Sequence, residues 1–287
     1  MEVVESAESV LYPIGGDYAT IRVRVLEPKR DKAPNAALFV LHDFVGNSRD
    51  LIAFGKFFAR QGYRVVLPDM PGRGESAWLP SKHYQVKIFI DVFASVFESY
   101  RLRTNDIFGV GWGALLALIA ELGVAGGTFR RIALFNLVKN WSYAAEKSLS
   151  AWKELAERSY ADEAELFSQD AAQRVGLSET RLSRALSTRL QTSESGTRLA
   201  YDPAIFDLLE RHETYEYKLE PLVSALKTPT LLLNSDKGLE LFKRDDLNSA
   251  ADDQFILLCE LDSENLQSIG SASVILPVLG FFAAVRA

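Results

Sequence analysis

This chain is poor in the side chains that carry most nucleophilic, proton-transfer and metal chemistry: 287 residues hold one cysteine and three histidines. One cysteine cannot form an internal disulfide, and Cys259, in the apolar run Gln254-Phe-Ile-Leu-Leu-Cys-Glu-Leu261, reads as packing in a buried strand. No set of His, Cys and carboxylate ligands has workable metal spacing, so no metal and no cofactor is expected. Cations are also in deficit. With 32 Lys and Arg against 38 Asp and Glu, the net charge is -6, which offers no basic face for a phosphate backbone and excludes nucleic acid as a partner. Long apolar runs are missing too: Val274 to Val285 contains Pro277 and Gly280 and falls short of the roughly 20 residues that span a bilayer. The opening Met1-Glu-Val-Val-Glu-Ser-Ala-Glu8 is acidic and lacks the basic and apolar regions of a secretory signal. The expectation is a cytoplasmic protein with no membrane partner.

What is present suits one α/β domain with an insertion, since 48% of residues are hydrophobic and 24% charged. Thr20 to Leu26 alternates with period two, as an antiparallel strand with one wet face should, whereas Ala37 to His42 is continuously apolar, as a strand buried on both faces should be. An amphipathic helix over Arg49 to Gln61 stops at Gly62. Tyr63 to Leu67, Asp106 to Val110, Arg131 to Leu137, Pro229 to Asn234 and Phe255 to Leu261 read as strands. Helices are expected over Tyr84 to Tyr100, Trp112 to Leu122 and Ser271 to Val285. This alternation predicts right-handed crossovers and a doubly wound sheet. The stretch from Leu137 to Thr230 shows no strand pattern and breaks at Gly176-Leu-Ser178 and Thr192-Ser-Glu-Ser-Gly196. It reads as three or four short helices forming a cap over 138–222, with Ser193 to Gly196 as a mobile connection, between core segments 1–137 and 223–287.

Three segments carry a resemblance. Leu41-His-Asp-Phe-Val-Gly-Asn-Ser48 matches an H-G-x-x-G-N-S turn, Gly62 to Ser76 matches G-Y-R-V-x-x-P-D-x-x-G-x-G-x-S, and Gly109-Val-Gly-Trp-Gly113 follows as a glycine elbow. Together they resemble the α/β-hydrolase fold, in particular its capped esterase and carbon–carbon hydrolase branch, and Tyr201-Asp-Pro-Ala-Ile205 is similar to the cap exit of some members. The resemblance implies a mostly parallel eight-stranded sheet flanked by helices, with a helical cap. It also implies a Ser-Asp/Glu-His triad in that chain order, an oxyanion hole of two backbone amides, and an acyl or carbonyl substrate.

The triad positions are degenerate. Gly111 stands where the nucleophile would be and offers no hydroxyl, thiol or carboxylate. Asp236, in Leu233-Asn-Ser-Asp-Lys-Gly238, matches the family's acid, although turn and N-cap chemistry explains it equally well. No histidine follows His212, so the base is missing as well. Loss of Ser or His from such a triad costs about 10⁶ in turnover. By analogy the oxyanion donors are the amides of Phe44 and Trp112, the latter at a helix N-terminus. Asp43 replaces the usual Gly beside them, where it would oppose a developing negative charge unless it points away or pairs with a neighbour such as Arg49. His42 reads as a structural residue of that turn, and His83 and His212 as surface residues.

Gly109-Val-Gly-Trp-Gly-Ala114 also fits G-x-G-x-x-A, a dinucleotide fingerprint, but the next strand ends Phe135-Asn-Leu137 without the ribose-binding acid, and Trp112 would crowd a pyrophosphate. Two readings remain. The first is a non-catalytic pseudohydrolase that binds a small apolar or carbonyl ligand under the cap through Asp43, Phe44, Gly111 and Trp112, or binds a protein partner. The second is a hydrolase or lyase of non-standard mechanism acting on an ester or carbonyl substrate, using His42, Asp43, Asp236 or a cap residue such as Tyr143 or Tyr201. Packing between cap and core is the alternative role for those tyrosines and for Trp141 and Trp152.

Overall fold

The computed structural model describes residues 1–29, 34–123, 127–137, 150–194, 196–210, 219–234, 256–261 and 269–284. Two strands open the chain, β1 (Val3–Ile14) and β2 (Asp17–Pro28), paired antiparallel from Val3↔Pro28 to Ile14↔Asp17. Gly15 and Gly16 make the turn at φ 62° and 90°, backbone that glycine adopts without steric cost. Strand β2 buries Ala19, Ile21, Val23 and Val25, the alternation expected from its sequence. No strand was expected over β1: it is an edge strand, mostly exposed, and its Glu, Ser and Ala residues carry no core pattern.

The chain then enters the sheet interior. Strands β3 (Ala36–Leu41), β4 (Arg64–Pro68), β5 (Thr104–Val110) and β6 (Arg131–Phe135) are almost wholly buried, as their continuous Val, Ile, Leu and Phe require. Between them run α1 (Ile52–Arg60), α2 (Val86–Tyr100) and α3 (Trp112–Gly123). A short 3₁₀ turn, Ser48–Leu51, leads into α1 and is closed by a capping box in which Asn47 and Asp50 exchange side chain to backbone hydrogen bonds.

After β6 come the short helices α4 (Glu163–Leu166), α5 (Gln169–Arg174) and α6 (Glu179–Leu186), each started by an Asp or Ser cap. The expectation of no strand here is corrected, because β7 (Leu190–Ser193) and β8 (Gly196–Leu199) form an antiparallel hairpin. Its strands are four residues long with one leucine each, too short to show a period. Ser193 pairs with Gly196, at φ 119°, at the end of this hairpin. The hairpin is anchored on Tyr160, which exchanges two backbone hydrogen bonds with Thr197. Helices α7 (Asp207–Glu210) and α8 (Leu219–Ser224), strands β9 (Thr230–Asn234) and β10 (Ile256–Glu260), and α9 (Ala272–Ala283) complete the described chain.

The large sheet runs β1-β2-β4-β3-β5-β6-β9-β10. The β1-β2 and β2-β4 pairs are antiparallel and the rest parallel, so the expected mostly parallel eight-stranded sheet is present. Helices α2 and α3 pack on one face around Phe39, Phe93, Ile107 and Leu116, while α1 and α9 pack on the other around Phe54, Phe58, Phe108 and Val278. That is double winding. Cys259 is only half-buried, because β10 is the other edge and leaves Leu257 and Leu258 exposed. Among the described residues no helix is long and apolar enough to cross a membrane.

Candidate functional site

The elbow joins β5 to α3 at Gly111, and its glycines do different jobs. A Cβ on Gly113 would stand 2.5 Å from the carbonyl oxygens of Leu41 and His42, and one on Gly109 would stand 2.5 Å from Ala114 Cα. These two glycines let helix and strand backbones approach each other, which accounts for the G-x-G-x-x-A spacing without a dinucleotide. Gly111 differs. It sits at φ +53°, in the left-handed region, and a Cβ there would lie 2.6 Å from the Asp43 carboxyl carbon and closer still to Oδ1.

Asp43 follows β3, and its Oδ1 accepts hydrogen bonds from the backbone N–H of Phe44 at 2.8 Å and of Trp112 at 2.9 Å. Those are the two amides expected to form an oxyanion hole. A carboxylate therefore takes both of those donors, at the N-terminus of α3 where the helix dipole favours negative charge. Burial pushes the Asp43 carboxyl above its ordinary range, and the two amide donors pull the other way. Of the arrangements open to Asp43, pairing with Arg49 is not the one adopted: Arg49 Nη2 bonds Glu75 Oε1 at 2.6 Å, where Glu75 also faces Arg22 and Arg24. Asp43 Oδ2 accepts no hydrogen bond among the described residues, and the side chain is partly exposed.

His42 is fully committed to the same loop. Nδ1 lies 2.7 Å from the Asp43 carbonyl oxygen, and Nε2 accepts from the Met70 N–H at 3.0 Å. An accepting Nε2 leaves the proton on Nδ1, which donates to Asp43, so the ring is neutral. Burial agrees, lowering its pKa to about 4. His42 ties the β3 turn to the end of β4, as the structural reading expects, and has no free nitrogen with which to act as a base.

The sequence reading passed over Arg73, which the structure places in this cluster. It is fully buried, with Nε donating to Phe44 O and Nη1 to Pro71 O, both at 2.8 Å. Its guanidinium carbon lies 4.9 to 5.0 Å from the ring centres of Phe44, Phe89 and Trp112, an aromatic box suited to a cation. Burial lowers its pKa to about 9, so it is charged at neutral pH. The available signal was its place between Gly72 and Gly74, whose φ of 76° and 56° swing the side chain inward. Ala200 and the adjoining Tyr201 to Ile205 segment clamp that turn: Gly74 N–H donates to Ala200 O, Asp202 N–H to Gly72 O, and Asp202 accepts from the Tyr84 hydroxyl at 2.6 Å. Tyr201 is buried and donates to Trp152 O at 3.2 Å, which is the packing role. His83 is half-buried in a short 3₁₀ turn.

Asp236, His212, Trp141 and Tyr143 lie outside the described residues. Among the described residues no group of three or more His, Cys, Asp and Glu could hold a metal ion.

No family model matches this sequence, and no curated protein does. Solved structures match over nearly the whole chain. An α/β hydrolase from Novosphingobium aromaticivorans is 17% identical, with a TM-score of 0.69 over 97% of this chain and 99% of that one. The thioesterase domain from the curacin biosynthetic pathway is 20% identical, with a TM-score of 0.66 over 95% and 99%. E-2-(acetamidomethylene)succinate hydrolase is 16% identical, with a TM-score of 0.64 over 97% and 100%. These likenesses establish the α/β-hydrolase fold.

Proposed function

We propose that this α/β-hydrolase-fold chain is a pseudohydrolase, which binds a small uncharged ligand or a protein partner and does not hydrolyse it. Residues 138–222 act as its cap. The observation that carries the reading is Asp43 Oδ1, which takes both amide donors and the space of a residue-111 side chain. Acyl transfer needs those donors free for the oxyanion of the tetrahedral intermediate, and losing even one costs about 10²–10³ in turnover. The absence of a hydroxyl at Gly111 and of any histidine beyond His212 removes the nucleophile and the base independently. Replacing a strained nucleophile by glycine also releases about 1–3 kcal/mol of local strain, so the change favours the fold.

The competing reading, a hydrolase or lyase of non-standard mechanism, draws on Asp43 Oδ2, or on Asp236 or Tyr143 outside the described residues, because both nitrogens of His42 are taken. One assay separates the two. A p-nitrophenyl ester series from acetate to octanoate is expected to show no turnover above a heat-killed control, with no labelling by a fluorophosphonate probe. Turnover that disappears in Asp43→Asn would favour the enzyme.

A further inference from the structure

The cluster beside the elbow contains three polar atoms without partners. Arg73 Nη2 and Trp112 Nε1 belong to fully buried side chains and reach no acceptor. Asp43 Oδ2 accepts no hydrogen bond among the described residues. Buried N–H groups without acceptors are rare in folded proteins, and each one raises the question of what it serves. Two of them here occupy one aromatic box, since the Arg73 guanidinium carbon lies 4.9 Å from the Trp112 ring centre. Phe44 stands 5.7 Å from Trp112 and 5.5 Å from Phe206, and Phe89 stands 4.7 Å from Trp112, so the surroundings are apolar rings.

We infer that this cluster is a binding site for an uncharged amide on an apolar or aromatic body, its carbonyl oxygen accepting from Trp112 Nε1 and Arg73 and its N–H donating to Asp43 Oδ2. The inference rests on the ligand-binding reading above and adds the ligand's chemistry. Charge makes the selection. Arg73 and Asp43 already balance, so a carboxylate would meet the Asp43 charge, an amine would meet Arg73, and either would be buried without compensation. A ketone satisfies the two donors and leaves Asp43 Oδ2 unused, whereas an amide supplies both functions. Asp43 is the partly exposed member of the cluster. Once the ligand is bound, the apolar rings exclude water and strengthen its hydrogen bonds.

The test is a matched probe series of phenylacetamide, benzyl methyl ketone, phenylacetate and phenethylamine, titrated against the full chain at neutral pH by calorimetry or ligand-observed NMR. Phenylacetamide is expected to bind best, the ketone more weakly, and the two ions not at all. Trp112→Phe keeps a ring and removes the N–H, and it should weaken phenylacetamide about five- to tenfold, the loss expected for one hydrogen bond. Arg73→Met should abolish binding. Because that variant risks unfolding, its melting curve is compared with wild type, and the Trp112→Phe arm stands without it. A preference for phenylacetate, no phenylacetamide binding, or an unchanged Kd in Trp112→Phe overturns the inference. Ester turnover in the same preparation would instead overturn the pseudohydrolase reading, so the two failures are distinguishable.

Discussion

The Asp43 carboxylate stands where the Cβ of any residue at 111 other than glycine would have to be. Asp43 and Gly111 are therefore one structural decision written at two positions 68 residues apart in the sequence. Glycine admits the left-handed φ, the carboxylate fills the space glycine leaves, and the Phe44 and Trp112 amides fix it there.

A double-mutant cycle measures that coupling. Gly111→Ser alone should destabilise by roughly 1–2 kcal/mol for the left-handed backbone, plus the cost of displacing Asp43. Asp43→Gly alone should cost roughly 1–2 kcal/mol for the lost helix cap. In the double variant the serine meets no carboxylate, so urea denaturation should give a favourable coupling of about 1–3 kcal/mol. Strict additivity would mean that the two side chains do not compete for the site.

His42 predicts a specific acid sensitivity. Its pKa is about 4 in the fold against an ordinary 6.5, so between those values the unfolded chain binds more protons and stability falls as pH is lowered. The interval corresponds to roughly 3 kcal/mol for a fully buried ring, lost progressively below pH 6.5 and fully below pH 4. His42→Gln has no titrating group, and its stability plotted against pH should be flatter in that window, by up to about 1.4 kcal/mol per pH unit. Parallel profiles would show that His42 is not buried neutral.

Arg73 should not tolerate the conservative exchange. Lysine cannot reach Phe44 O and Pro71 O with two donors of a planar fork while lying over three rings. Arg73→Lys is expected to lower stability by about 2–4 kcal/mol, since it leaves buried carbonyls without donors. A change below about 0.5 kcal/mol in chemical denaturation would contradict the box geometry.

Asp50 holds the hairpin to the core. It takes a bond from the Thr188 hydroxyl and pairs with Arg189 Nε at 2.9 Å, both ion-pair partners being mostly buried. Asp50→Ala should release β7 and β8, increasing limited proteolysis across 187–199 while the sheet's circular dichroism is retained. The expected loss is about 1–3 kcal/mol, because Arg189 is left without its carboxylate. Unchanged cleavage would place the anchor elsewhere.

Much of the fold was legible in the sequence, because long apolar strands and capped helices obey local periodicities. Strands β3 to β6 and helix α3 fall within a few residues of their expected bounds. Strand β1 escaped because an exposed edge has no core face, and β7 and β8 because four residues with a single leucine cannot display a period. In the site, Gly111 and Asp43 were both noticed as departures, but their connection is a through-space contact that no local pattern encodes. Arg73 was hidden for a related reason. Arginine is usually a surface residue, and only the inward turn at Gly72 and Gly74 and the rings of Phe44, Phe89 and Trp112 make it a core residue.

The mutual exclusion at the elbow has an evolutionary consequence. Replacement of Gly111 by serine is penalised while Asp43 remains, and removal of Asp43 is penalised because the Phe44 and Trp112 amides lose their cap. Neither single step is favourable, and the intermediate on either route is less stable than its starting point. Such an arrangement works as a ratchet: selection on folding alone is enough to keep the two residues together.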